Sequence, residues 1–408
     1  MSGTTDNEFI RLMYGAIHTW GFLFSFFDLL TNPSHPPAKT IFRGDIKMKK
    51  TVSTVTMALA MIAALTACGS SQVPIATSAA AGTAAATTAA ADGKTYKVGI
   101  VQFVDHPSLN QIEKNLEAEL DKLSKEKGVT FDYKDYTFNG QGDATVLNQI
   151  ASQLLSDKVD VIVPIATPAA QVVQAAAEGS NTPIVFSAVS DPVSAKLVKS
   201  MDAPGANITG TSDFLNTNAI MDLMLAASKD IDYVGLLYSK SEDSSKVPIE
   251  EAKKYLDDKG IKYIEKTGTT TDEVSQAADA LIAEGVDAVF TPTDNTIQKA
   301  ELAFYEKLQA AKIPHYAGAD SFALNGAFVG YGVDYANLGT ATADMVSKVL
   351  VDGADPASLK VETFDNGIAT INTDTCSALG LDLKTVEEAF KPLCTQVVET
   401  KTNKEFAN

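Results

Sequence analysis

The chain is poor in residues that hold metals or carry covalent chemistry. Among its 408 residues only 3 are cysteine and 4 are histidine. Cys68, Cys376 and Cys394, like His18, His35, His106 and His315, lack the short spacings of metal ligands, so no metal site is expected. Basic charge is scarce as well: 33 lysines and arginines stand against 51 aspartates and glutamates, for a formal charge of −18. Nucleic acid would be repelled, and no basic stripe with interleaved aromatics offers it a track. There is no phosphate-cradling Gly-x-x-x-x-Gly-Lys, no Gly-x-Gly-x-x-Gly after the first strand, and no Gly-x-Ser-x-Gly nucleophile elbow. No catalytic constellation and no cofactor are implied, and the protein is not expected to be an enzyme.

What the chain does contain is a pattern written twice. Val98-Gly99-Ile100-Val101 opens a series of short apolar runs separated by helical stretches, continued by residues 159–164 and by the run after Pro183. Val234-Gly235-Leu236-Leu237, residues 286–290 and the run after Pro314 follow in the same order, roughly 130 residues later. Such alternation marks parallel strands joined by right-handed crossovers, hence an α/β chain of two Rossmann-like lobes. Ligands of these sheets bind beyond the carboxyl ends of the strands, and two lobes facing each other there make a cleft that a hinge can close.

The N-terminal region reads as an export signal. Lys49-Lys50 precedes an apolar run over residues 55–65, and Leu65-Thr66-Ala67-Cys68-Gly69 closes it with small residues before a cysteine. Residues 48–67 therefore read as a lipoprotein signal peptide, with Cys68 the lipidated residue. Residues 68–94 form the lipidated cysteine and a flexible Ala/Thr/Ser tether, unable to bury a core. Residues 1–47 read as a spurious extension ahead of a true start at Met48: residues 12–30 are apolar, but His18 and Asp28 interrupt them and a second export signal would be redundant. Outside a reducing cytoplasm Cys376 and Cys394 are free to pair, and their separation in space decides whether they do.

Small hydroxyls and carboxylates recur where strands end. Residues 104–109 follow the first strand, with Ser108 as a helix cap and His106 either packed in the loop or paired with Ser108 for acid/base work. Thr167 reads as an N-cap with Pro168 first in the helix, so its hydroxyl and the next amides either form an anion site or simply cap. Ser187, Ser190 and Asp213 close later strands of the first lobe. In the second lobe Asp294 and Asp320 are the acids best placed to meet a cationic amine, though either can cap a helix instead.

Residues 96–390 resemble the ABC-transporter substrate-binding protein family that includes tryptophan- and phenylalanine-binding lipoproteins. The resemblance is carried by Gln102-Phe103-Val104-Asp105-His106-Pro107-Ser108-Leu109, Gln141-Gly142-Asp143, Ile165-Ala166-Thr167-Pro168-Ala169-Ala170, residues 186–192, Gly210-Thr211-Ser212-Asp213, Thr293-Asp294-Asn295 and residues 331–335. It implies a type I periplasmic-binding-protein fold with a three-crossing hinge. One lobe is then expected over residues 95–213 plus about 322–352, the other over 214–321 plus about 353–395, with 396–408 a C-terminal tail. The function implied is an extracytoplasmic, lipid-anchored monomer of an ABC importer, closing on a small ligand and delivering it to a permease with a cytoplasmic ATPase. An aromatic or other apolar amino acid is the expected ligand. Thr167, Ala169 and Ser187 would hold its carboxylate, Asp320 with Asp294 second its ammonium, and Phe103 and His106 would flank its side chain, with Asp213 in the same ligand-binding set. A sugar, purine or nucleoside ligand, or a ligand-sensing role toward a membrane receptor, is the alternative.

Overall fold

The computed structural model describes residues 93–405 other than Lys229. The expected extension, signal peptide, Cys68 and all but the end of the tether lie outside the described residues.

The chain first lays down β1 (Thr95–Gln102), α1 (Pro107–Lys127), β2 (Thr130–Asp132), β3 (Thr137–Asn139) and α2 (Ala144–Ser156). β4 (Val161–Ile165), α3 (Thr167–Ala176), β5 (Ile184–Phe186) and β6 (Ile208–Ser212) follow. A second run holds α4 (Thr217–Ala227), β7 (Tyr233–Tyr238), α5 (Lys246–Lys259), β8 (Lys262–Thr267), α6 (Thr271–Glu284) and β9 (Ala288–Thr291). It continues through α7 (Asn295–Ala310), β10 (His315–Ala317), α8 (Asp320–Leu324) and β11 (Val329–Gly332). The closing part is α9 (Tyr335–Leu350), β12 (Glu362–Thr363), β13 (Ile368–Asn372), α10 (Thr373–Leu379), α11 (Leu383–Phe390) and β14 (Gln396–Thr400).

Strands such as β4 and β6 are buried along their whole length, as continuous apolar or small-residue runs must be when helices cover both faces of a sheet. The helices are punctuated locally. Asp143, Asn216, Thr270, Asp294 and Asp334 accept hydrogen bonds from first-turn amides. Gly128, Gly260 and Gly285 end α1, α5 and α6 in the left-handed conformation that costs glycine little.

Two sheets result, ordered β12-β6-β5-β4-β1-β2, with β3 also on β1, and β14-β13-β11-β10-β9-β7-β8. Each lobe thus carries the doubly wound order 2-1-3-4-5. The second sheet is not wholly parallel, because β13 runs antiparallel to β11. The cause is the path of the chain. β13 enters from the hinge, at the end of the sheet where β11 leaves it, and β14 then pairs parallel to β13.

The chain crosses between lobes three times: from β6 to α4, from β11 to α9, and from β12 to β13. The second and third crossings fall later than the sequence suggests. α8 and β11 belong to the second lobe, so the return comes at residues 333–334 rather than near 322, and the two-residue β12 on the edge of the first sheet delays the last crossing to residues 364–367. Residues 396–400, read as tail, form β14.

α9 lies along α1 after the second crossing and ties this late segment to the first lobe. Their backbones meet at Gly339, where a Cβ would stand 2.4 Å from the Ile112 carbonyl oxygen. Gly339→Ala must push the two helices apart and should cost about 1–3 kcal/mol. Urea unfolding of the parent and variant checks this, and an unchanged midpoint would show that the helices sit farther apart than described.

Candidate ligand-binding cleft

In each sheet the first strand lies between neighbours whose connections leave in opposite directions: β1 between β2 and β4, and β7 between β8 and β9. Loops diverge around such a switch point and open a crevice. Here the two crevices face each other and share one cavity. Its wall takes His106, Ser108 and Leu109 from the loop and helix after β1, Thr167 from the start of α3 after β4, Ala188 and Ser190 from the loop after β5, and Asp213 from just beyond β6. The second lobe contributes Ser244, residues 293–295 and Gln298, Ala319, Ser321 and Phe322, and Tyr335 stands at the hinge.

The lobes are closed on each other. Hydrogen bonds cross the cleft between His106 Nε2 and Asn295 Oδ1 (3.0 Å) and from Ser108 Oγ to Asp320 Oδ1 (3.0 Å). Gln171 Nε2 donates to Asp243 Oδ2 (2.7 Å), and Lys299 Nζ to the Gln141 carbonyl (3.3 Å).

Of the residues expected at the site, the structure brings His106, Thr167, Asp213 and Asp294 together on the wall. His106 is 4% exposed, and burial pushes its imidazole down to about 4, against the hydrogen bond it makes to the Asn295 amide oxygen. The ring is therefore neutral at physiological pH. Its Nδ1 is buried with no partner among the described residues. Thr167 is not the cap of α3 but its first residue; the cap is Ala166, held at φ 83, ψ 153. Such a conformation costs a non-glycine residue about 1–3 kcal/mol and tends to be retained at ligand clamps. The Thr167 hydroxyl is buried with no partner among the described residues, so its side chain is not spent on the helix.

Asp213 and Asp294 share a location and differ in support. Asp294 caps α7 and accepts from Ile297 N (3.0 Å), Ser239 N (2.7 Å) and Ser245 Oγ (2.7 Å). Its lone pairs are committed to the fold, which favours the capping reading over an amine ligand. Asp213 accepts only hydroxyls, from Ser190 at 2.9 Å and from Tyr335 at 3.5 Å, and burial pushes its carboxyl up to about 6. Beside Asp294, the Glu242 carboxyl is pushed up by burial and then by the Asp294 charge. Glu242 accepts from Asn295 Nδ2 at 3.0 Å.

Asp320 is part-buried at the cavity edge, between Ala319 and Ser321, which line the wall. Burial pushes it up, and the Ser108 hydroxyl opposes the shift. Ser108, expected to cap α1, instead spans the cleft to reach it. Three expected residues lie away from the cavity wall. Phe103 faces a separate hollow at the cleft mouth with Gly142, Thr270 and Lys299. Ala169 is buried behind Thr167, and Ser187 bonds Thr342 (2.9 Å) and Thr211 (3.4 Å), pinning α9 to the sheet. Asn295 and Tyr335, which sequence reasoning did not assign to the ligand, belong to the wall, as does Ser190, noted only as a strand-end hydroxyl. Each sits beside an expected residue or in a motif of the resemblance, and that adjacency was the available signal.

Among the described residues no lysine or arginine lines the cavity, and no ion pair includes Asp213, Asp294, Asp320 or Glu242. The sequence holds only two arginines, Arg11 and Arg43, both ahead of the described residues. Whatever anion the cleft takes must be met by amides and hydroxyls. No group of histidine, cysteine and acidic side chains among the described residues is arranged for a metal. Cys376 and Cys394 are both free thiols, and burial pushes Cys394 up to about 11.

Two doubly wound lobes, a three-crossing hinge and a closed cavity between strand ends define a type I periplasmic-binding-protein fold. The family model for ABC transporter substrate binding proteins matches residues 97–395, and the chain belongs to that family. It is a solute-binding protein of an ABC transporter and not an enzyme. It is 33% identical over 293 residues, 71% of this chain and 83% of the relative, to a tyrosine-binding protein of Clostridioides difficile strain R20291. Among solved structures it is similar to a Streptococcus pneumoniae ABC domain in complex with L-Trp, at 32% identity and TM-score 0.68 over 75% of this chain and 100% of that one. A ligand-free, open substrate-binding protein of Clostridium difficile, also 32% identical and covering 76% of this chain and 100% of its own, gives a TM-score of 0.57. The lower score against the open form at equal identity agrees with the four hydrogen bonds seen across the cleft.

The state of Asp213 carries a stability test. Its folded carboxyl titrates above the ordinary aspartate value, so the native state keeps a proton that the unfolded chain has released, and stability is lost as pH rises through about 6. A shift of this size corresponds to about 3 kcal/mol. Asp213→Asn should therefore unfold at higher urea than the parent near pH 8, with the gap closing toward pH 4. A variant less stable than the parent near pH 8 would make Asp213 a structural acid instead.

Proposed function

We propose that the protein is an extracytoplasmic, lipid-anchored binding lipoprotein of an ABC importer whose ligand is an aromatic or other apolar amino acid. The observation that carries this reading is the charge pattern of the cleft: acids from both lobes, Asp213 and Asp320, with no basic side chain on the wall. An ammonium placed between them supplies the missing positive charge and up to three donors. The ligand carboxylate goes to the Thr167 hydroxyl and to the amides of Thr167 and Ala169, which lie in the first turn of α3 where the helix itself offers no carbonyl. Ala169 thus acts through its backbone. Leu109, Phe322 and Tyr335 give the apolar contacts for the side chain. The tyrosine-binding and L-Trp-bound relatives support the same ligand class.

Export and anchoring rest on Lys49-Lys50, the apolar run and Cys68. Among the described residues no helix is long and apolar enough to cross a membrane, and lipid on Cys68 would keep the protein beside its permease and cytoplasmic ATPase. Cys68→Ala should release it from the membrane fraction and abolish palmitate labelling; unchanged labelling and retention would refute the anchor.

The ligand is tested directly. Trp20 is the only tryptophan, so a chain starting at residue 48 is dark at the indole band and added tryptophan reports its own binding. Tryptophan should bind, with tyrosine, phenylalanine and leucine as competitors. Asp320→Asn should cost roughly 1.5–3 kcal/mol, about one to two decades of affinity. Affinity should also fall as pH drops below about 6, where Asp213 takes up a proton and no longer attracts the ammonium. If none of these amino acids binds, the amino-acid reading fails and a sugar or nucleoside takes its place.

A further inference from the structure

His106 is committed on one side only. Glu242 Oε2 accepts from Asn295 Nδ2 (3.0 Å) and from Ser244 Oγ (3.3 Å), which fixes the Asn295 amide with its oxygen toward the cleft. That oxygen stands 3.0 Å from His106 Nε2 and can only accept, so the ring proton is on Nε2. In a neutral imidazole the other nitrogen then carries a bare lone pair. Nδ1 of His106 is buried on a residue that lines the cavity, and no donor among the described residues reaches it. The ring sits at the cap position of α1 without accepting from that helix. A buried acceptor left unpaired is costly, and the remaining source of a donor is the ligand.

An amino acid offers donors in two places. Its ammonium is taken by Asp213 and Asp320 in the reading above, on which this inference rests. The other place is the side chain: the phenol O–H of tyrosine or the indole N–H of tryptophan. Phenylalanine and leucine have neither and would leave Nδ1 unpaired. We propose that His106 selects the ligand by its side chain, Nδ1 accepting a hydrogen bond from an aromatic O–H or N–H, so that the cleft prefers tyrosine or tryptophan to phenylalanine. The tautomer that makes Nδ1 an acceptor is imposed by Asn295 from the opposite lobe. Selection and closure are therefore coupled, because the acceptor is fixed only when the lobes meet.

Two substitutions separate the two nitrogens. In His106→Gln the amide reaches the place of Nε2 and leaves nothing at Nδ1, whereas in His106→Asn it occupies the place of Nδ1 and lets go of Asn295. Titration calorimetry of the parent should show tyrosine or tryptophan binding at least about tenfold more tightly than phenylalanine. His106→Gln should bring that ratio close to one by weakening tyrosine and tryptophan more than phenylalanine; His106→Asn should keep a preference while weakening all three ligands. Only His106 and His315 are histidines of the described chain, so imidazole 15N spectra give a second readout. The bare-nitrogen signal that vanishes in His106→Gln should move on adding tyrosine or tryptophan and stay on adding phenylalanine. Equal affinity of the parent for all three, or a preference that survives in His106→Gln, overturns the proposal. Failure of all three to bind overturns the amino-acid reading, and this inference with it.

Discussion

Asp213 and Asp320 reach the cleft from opposite lobes, and neither has a cation beside it. A carboxylate drawn out of water is tolerated when donors surround it, as they do Asp294, or when an opposite charge pairs with it. Asp213 has hydroxyls alone and Asp320 little more than Ser108, so both are pushed toward the protonated form. The fold holds these acids in place at a cost to its own stability. A cationic group from outside would relieve that cost, and would do so best with both lobes contributing, which on the proposed reading makes closure and recognition one event.

The contacts that close the cleft suit that coupling. The four hydrogen bonds across it run between amides, hydroxyls, an imidazole, a carboxylate or carbonyl and a single lysine, with no ion pair joining the lobes through the cavity wall. Each contributes about 1 kcal/mol, more where a charge takes part, so the set is weak enough to break and reform as ligand leaves and enters. The stiffer elements lie behind: α9 packed on α1 through Gly339, and the Ser187, Thr211 and Thr342 hydroxyls that fix α9 to the first sheet. Three chain crossings then leave the hinge as the place where motion is concentrated.

The two lobes, their parallel α/β character and the location of the cleft were legible because continuous apolar runs alternating with helical periods admit few other folds. His106, Thr167 and Asp213 were legible as strand-end residues of the right chemistry. What local sequence could not show was which way a strand-end side chain points. Ser187 lies beyond the last residue of β5 and turns under the sheet to Thr342, a residue 155 positions away, where one step of register would have sent it into the cleft. Phe103 likewise opens onto the cleft mouth, and Ser108 finds Asp320 across 212 positions instead of its own helix. The two-residue β12 and the antiparallel β13 escaped for a related reason. Both are set by where the hinge returns the chain, and no short-range pattern records that.

A crystal structure grown with tyrosine or tryptophan tests the central claim most directly, since it shows which end of the ligand meets the acids. The expected result is a ligand ammonium within hydrogen-bonding distance of Asp213 and Asp320 and a carboxylate at Thr167 and the first turn of α3. A ligand carboxylate turned toward those acids, or an uncharged polyol retained in the cavity in place of the amino acid, would contradict it.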